Sequence, residues 1–372
     1  MLKLGLYVMG KSHTIDKYYQ ILSMLSRFQE VSDVDVKILL EESPDKSNGK
    51  AADRDLYNTL QDEYDFVNLS ETSINDLGLN AVFVIDPYSI PKTPYRDFRV
   101  PIIYKEYGVA GCEAGSGYLI NKSVYKYADM IITESKFMKD KILQKYPEKY
   151  VVIGSPAFDY VFNFKHKVLN SLNPLYRNVL WTPHHSIDSR ADFDKIEGGT
   201  YSNFIQYKDY LTGEFLEEFP DVTLHIKPHP ILPKRFNAHQ KSLGLEETYT
   251  QWKSKVKSDR VIFHEKEDYH LLFEKCGVIF NDSISFTLEW LPMNKPLVAL
   301  RNDSKYSEFG EELINKCYFT SYSPENLRDI YKGLRKGSLT KKDNQEEINK
   351  LYIDPSCRNS DALLVLICRR YE

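Results

Sequence analysis

The chain has few cysteines, no long apolar run and no surplus of either charge, and each shortage removes a class of protein. Its five cysteines, Cys112, Cys276, Cys317, Cys357 and Cys368, form no CxxC pair and no metal-ligand spacing. A disulfide framework or a zinc site is therefore not expected, and the thiols read as reduced residues of a cytoplasmic protein. No apolar run approaches the roughly 20 residues of a membrane-spanning helix. The stretch Leu4–Met9 is too short and too weakly flanked for a signal peptide and reads as a first strand. With 49 basic and 53 acidic side chains the chain lacks the basic excess of a general nucleic-acid binder. Internal repeats and low-complexity segments are also missing.

Aromatic residues are plentiful, with 27 Tyr and 19 Phe, enough to fill cores and to stack on sugar-like ligands. A length of 372 residues suits two domains, each with its own core. The first half alternates predicted strands (Leu2–Met9, Val34–Leu40, Ala81–Ile85, Val100–Tyr104, Asp129–Thr133, Tyr150–Ile153) with predicted helices (Ile15–Phe28, Lys122–Tyr127, Ser135–Lys145). After a linker-like stretch at 155–176 the pattern restarts. Strands are predicted at Asn178–Trp181, Val222–Ile226, Val261–Phe263, Gly277–Phe280 and Pro296–Leu300. Helices are predicted at Ser202–Phe219, Leu245–Val256, Tyr269–Lys275, Ser285–Leu291, 324–335, 344–351 and Asp361–Arg370. This βαβ rhythm predicts an α/β fold of two doubly wound, Rossmann-like domains facing a central cleft. The expected bounds are 1–165 and 175–350, with a C-terminal helix at 356–372 packing back across the domains.

The chemistry concentrates at strand ends. Lys227-Pro228-His229-Pro230 follows one strand, and Asn281-Asp282-Ser283-Ile284-Ser285 follows another and runs into a helix carrying Glu289. In an open α/β sheet, clusters at the carboxyl ends of strands converge on one crevice. Two prolines stiffen the exit that aims Lys227 and His229, which can supply a charge and a donor to phosphate oxygens. Ser283 and Ser285 fit a helix N-cap, which is compatible with an anion site because both use the same amides. Glu289 reads either as an acceptor for ribose hydroxyls or as a surface carboxylate. Trp181-Thr182-Pro183-His184-His185-Ser186 lacks the carboxylates that would complete a metal site, so a loop reaching phosphate or acceptor is the better reading. Glu106, at the end of Tyr104-Lys105-Glu106-Tyr107-Gly108, is a candidate general base or a solvated charge. Gly5 to Ser12 matches GxxxxGK[ST], but Leu6-Tyr7-Val8-Met9 is strand material rather than a phosphate loop. Gly10 and Ser12 then read as a strand-to-helix turn on the acceptor side.

On Thr182–Ser186, Lys227–Pro230, Asn281-Asp282-Ser283-x-Ser285 with Glu289, and Asn294-Lys295-Pro296, in this order, the chain resembles the CDP-glycerol glycerophosphotransferase family. That family builds teichoic acids and related polyol-phosphate capsules. Weaker echoes are Tyr104–Gly108 and Gly154–Asp159. The resemblance implies a GT-B fold whose C-terminal domain binds a CDP-activated donor through Lys227, His229, Asp282, Ser283, Ser285, Glu289 and Ser186. It implies attack of an acceptor hydroxyl on the donor's β-phosphorus with release of CMP. The acceptor would be a glycan or lipid-linked molecule, met at the cytoplasmic face of the membrane by Tyr107, Gly108, Gly10 and Ser12. No cofactor and no metal are expected. Two departures stand out. Known polymerases carry His-Gly where this chain has Tyr107-Gly108, so Glu106, His184 or His185 would serve as the base beside His229. Their usual Asp-Tyr-Ser-Ser is here Asp282-Ser283-Ile284-Ser285. A GT-B glycosyltransferase using a CMP- or UDP-sugar, and a catalytically degenerate scaffold of capsule assembly, are the alternatives.

Overall fold

A computed structural model describes residues 1–8, 24–30, 33–40, 62, 64–84, 97–105, 123–133, 146–153, 176–187, 202–265, 269–282, 284–302, 308–340 and 359–371. The chain divides into two compact units. The first is built on seven strands: β1 (Leu2–Val8), β2 (Val34–Leu40), β3 (Asp65–Asn68), β4 (Ala81–Val84), β5 (Ile102–Lys105), β6 (Met130–Thr133) and β7 (Tyr150–Val152). They pair in parallel in the order β3-β2-β1-β4-β5-β6-β7. β4, β5 and β6 are buried along their whole length, as expected of parallel strands covered on both faces. A short helix, α1 (Ser123–Tyr127), leads into β6.

Gly5 sits inside β1, opposite Lys37 on one side and Val82 on the other. A Cβ there would stand 2.8 Å from Leu39 Cδ1 and 2.9 Å from Leu79 Cδ1. Close packing thus accounts for the first glycine of the phosphate-loop pattern, and Gly10 and Ser12 lie outside the described residues.

The second unit is built on β8 (Asn178–Thr182), β9 (Thr223–Ile226), β10 (Val261–Phe263), β11 (Val278–Asn281), β12 (Leu297–Leu300) and β13 (Phe319–Ser321). Their order is β10-β9-β8-β11-β12-β13, again all parallel. Its helices are α2 (Phe204–Thr212), α3 (Glu214–Glu218), α4 (Leu232–His239), α5 (Tyr249–Lys255), α6 (Tyr269–Lys275), α7 (Ile284–Glu289), α8 (Glu308–Cys317) and α9 (Pro324–Lys336). A final helix, α10 (Asn359–Tyr371), returns to the first unit. There Leu363, Leu364 and Ile367 join a core that includes Leu2, Leu4 and Phe28. Asp361 accepts from Arg27 Nε at 3.2 Å and the Tyr371 carbonyl accepts from Asn80 Nδ2 at 3.0 Å. Among the described residues no helix is long and apolar enough to cross a membrane.

Several elements differ from the sequence expectation. The helix predicted over Ser202–Phe219 breaks at Gly213, whose backbone (φ −119°, ψ −100°) is not helical. The helix predicted from Leu245 starts only at Tyr249, because Thr248 and Gln251 form a reciprocal capping box. β3 and β13 carry no apolar run of their own and exist as edge strands paired to one neighbour each. α4 begins beside Pro233, which the first turn of a helix tolerates. The helix predicted at Ile15–Phe28 is described only over 24–30, and those at Ser135–Lys145 and 344–351 lie outside the described residues.

The Asn294-Lys295-Pro296 turn is a fastener. Asn294 adopts the left-handed conformation (φ 53°). Lys295 Nζ donates to the carbonyls of Phe273 (2.8 Å), Glu274 (2.8 Å) and Cys276 (2.9 Å), closing the end of α6. Burial lowers the Lys295 pKa to about 8. Lys295→Met removes all three donors and should cost about 3 kcal/mol, read as a lower urea midpoint with an unchanged slope.

Candidate functional site

In the second sheet the chain passes from β8 to β9 on one side and later places β11 on the other. β8 is therefore a topological switch point, where a crevice opens at the carboxyl ends of the strands. The loops that leave these strands carry the polar clusters, and backbone hydrogen bonds stitch them together. Lys227 N donates to the Trp181 carbonyl (2.9 Å) and His229 N to the Pro183 carbonyl (3.0 Å). His184 N donates to Asp282 Oδ1 (2.5 Å). Below them Thr182 Oγ1 donates to Asn281 Oδ1 (2.7 Å), and Asn281 Nδ2 to Thr287 Oγ1 (3.2 Å).

The stitched loops gather three imidazoles. The His184 and His185 ring centroids are 4.2 Å apart, His185 and His229 4.1 Å, and His184 and His229 5.5 Å. Two of the rings share one local device. Ser186 N donates to His184 Nδ1 (3.2 Å), and Ile231 N donates to His229 Nδ1 (3.2 Å). An amide can only donate, so in each neutral ring Nδ1 is the acceptor and Nε2 carries the proton. Ser186 Oγ, 2.7 Å from His184 Nδ1, reinforces the first of these. His184 and His229 thus present Nε2–H groups, which suit an anionic oxygen.

Electrostatics keep His184 and His185 neutral. Burial, and then the neighbouring His185 and His229, hold the His184 pKa well below the ordinary histidine value. Burial, and then the charge of Arg235, lower His185 to about 4. Asp282 is fully buried, and burial raises its carboxyl to about 7 against the amides of Asn203 and His184. The signs oppose each other. The lowered imidazoles take up protons on unfolding below about pH 6.5, so their contribution to stability grows as pH rises through that window. Asp282 keeps, when folded, a proton that the unfolded chain has lost above about pH 4, so its contribution falls as pH rises toward 7. Two imidazoles set against one carboxyl make the cluster's own contribution to stability rise with pH below about pH 6.5. Asp282→Asn removes the opposing group, and stability from urea unfolding should then climb more steeply by about one proton. An unchanged slope would mean that Asp282 titrates normally.

The remaining candidate residues fall as follows. Lys227 is 5% exposed, and its Nζ lies 3.4 Å from the Glu265 carbonyl. Glu289 is 4% exposed at the end of α7, which removes the reading as a surface carboxylate. Ser186 is also buried and uses its hydroxyl on His184. Ser285 lies within α7, and its side chain is outside the described set. Glu106, Tyr107, Gly108 and Ser283, like Gly10 and Ser12, lie outside the described residues. Two participants were missed in the sequence. Arg235, in the first turn of α4, charges the surroundings of His185, and the Lys234-Arg235 pair was its only signal. Asn203 donates its backbone N–H to Asp282 and its side chain to the Leu300 carbonyl. Among the described residues no group of three or more His, Cys, Asp or Glu is arranged to hold a metal ion.

No protein-family profile and no curated protein sequence matches the chain. Solved structures do. The UDP-GlcNAc 2-epimerase of Methanocaldococcus jannaschii, in complex with UDP-GlcNAc and UDP, aligns with TM-score 0.60 and 14% identity over 99% of this chain and 100% of its own. The S. aureus MnaA–UDP structure aligns with TM-score 0.57 and 17% identity over 100% of this chain and 97% of its own. A variant of the wall teichoic acid polymerase TagF soaked with CDPG aligns with TM-score 0.58 and 11% identity over 99% of this chain and 88% of its own. At such identities the likeness is one of fold, and with the two parallel sheets it gives the chain the GT-B fold.

Proposed function

We propose that the chain is an enzyme that binds a nucleotide-activated donor at the carboxyl edge of its second sheet. In the reading we favour, it transfers a polyol phosphate from a CDP-linked donor to a hydroxyl of a glycan or lipid-linked acceptor. The acceptor oxygen bonds to the β-phosphorus, the bond from that phosphorus to the bridging oxygen breaks, CMP leaves, and the hydroxyl proton passes to a base. One observation carries the reading: two imidazoles whose Nδ1 atoms each accept an amide present Nε2–H donors at the switch point. Such donors meet charge that develops on phosphoryl oxygens and on the departing nucleotide. They are poor bases in that tautomer, so proton removal falls to Glu106 or His185. A fold neighbour soaked with CDPG is consistent with the donor.

A second reading has its own support. Two of the fold neighbours carry UDP, so the donor would be a UDP-sugar and the chemistry would occur at sugar carbon. A thermal-shift panel of CDP-glycerol, CDP-ribitol, CMP, CDP, UDP, UDP-GlcNAc and ATP separates the two, since a ligand that binds only the folded state raises its melting temperature. Stabilisation by cytidine nucleotides, followed by CMP release on adding acceptor, is the expected result. Stabilisation by uridine nucleotides alone would overturn the CDP assignment, and no response to any of them would favour the scaffold.

A further inference from the structure

We propose that Asp282 is a positioning residue that fixes His184 through the backbone and does not itself touch the donor. The inference rests on the donor reading for its functional consequence and on geometry alone for the coupling. Asp282 follows β11 directly and is 0% exposed. Its Oδ1 accepts from His184 N at 2.5 Å and its Oδ2 from Asn203 N at 2.6 Å. Both oxygens are thus engaged by amides from two other chain segments, the exit from β8 and the entry to α2. Ser202 N, donating to the Ser186 carbonyl at 3.4 Å, draws the same two segments together. Asn203 Nδ2 anchors the clamp to β12 through the Leu300 carbonyl (2.9 Å).

The clamp bears on His184 from behind. With its amide held by Asp282 and its Nδ1 by Ser186, the His184 ring has its direction fixed from two sides, and Nε2–H is the edge it presents. The arrangement also suits the charges. A carboxylate in direct contact with a diphosphate would repel it, whereas one buried behind an amide orients a donor without facing the anion. Among the described residues, the titratable groups around the clamp are His184 itself, His185 and His229 against its ring, and Tyr207 on α2, whose hydroxyl pKa is raised to about 12 mainly by burial and in part by Asp282.

Two measurements test the proposal. In the ligand-free wild-type chain, amide shifts of His184 and Asn203 should titrate with one common midpoint. The ring nitrogens of His184 should follow that midpoint. A His184 ring indifferent to the amide titration would overturn the proposal, even if Asp282→Asn failed to fold. The second measurement is a double-mutant cycle read by CDP affinity. Asp282→Asn and His184→Ala should each weaken binding about tenfold and the pair no more than either alone. Additive losses would mean that Asp282 meets the ligand independently. If wild type binds no CDP, the donor reading fails while the titration still decides the coupling.

Discussion

Replacing His229 by alanine should weaken donor binding and lower turnover by about 10²–10³-fold, the typical effect of deleting one donor aimed at developing phosphoryl charge. The fold should survive. The ring accepts from Ile231 N, and Ile231 is 37% exposed, so water can replace that acceptor. The backbone contacts of the loop, His229 N to Pro183 and Leu232 N to His229, do not depend on the side chain. Isothermal titration with CDP and a CMP-release assay measure the two effects, and a denaturation curve guards against a trivial loss. Full activity in the variant would remove the site from the crevice beside β8.

Phe204→Ala should destabilise the second unit by about 3–5 kcal/mol, as for other buried aromatic truncations. Phe204 opens α2, is 0% exposed, and stacks on Trp181 at 5.5 Å. It also meets Trp252 edge-on at 5.0 Å, Phe236 at 5.5 Å and Tyr249 at 5.8 Å. Trp181 lies just before the His184 loop and Phe236 just after the His229 loop, so the cavity would open beneath both. Tryptophan fluorescence reports this directly, because the chain's three tryptophans, Trp181, Trp252 and Trp290, all lie in the second unit. A loss under about 1 kcal/mol would show that the site collapses around the gap at little cost.

The parts of the molecule that were legible in the sequence are those whose physics is local. Runs such as Ala81–Val84 and 278–280 are apolar throughout because parallel strands are covered on both faces, and that composition is visible without coordinates. The clusters after β8, β9 and β11 were visible for the same reason: polar residues directly follow apolar runs. What was not legible depends on partners distant in the chain. β13 is three residues long and is a strand only because β12 pairs with it. Asp282 looks in sequence like a ligand contact, and only the amides of His184 and Asn203 reveal that both of its oxygens are already engaged. Lys295 looked like part of a family turn, and its work on the three carbonyls at the end of α6 depends on tertiary proximity. Glu289 was ambiguous because helix periodicity over six residues cannot say which face is covered.

The return of α10 to the first core sets an order on synthesis. Leu363, Leu364 and Ile367 complete a hydrophobic cluster begun by Leu2 and Leu4, so that cluster closes over nearly the whole length of the chain. Such distant contacts form late, because the chain between them must be ordered or looped first. On the ribosome, the unit built on β8–β13 emerges whole while the earlier strands still wait for their last helix. The half of the protein made first is therefore the half that finishes second, and its open core is the surface a chaperone would meet.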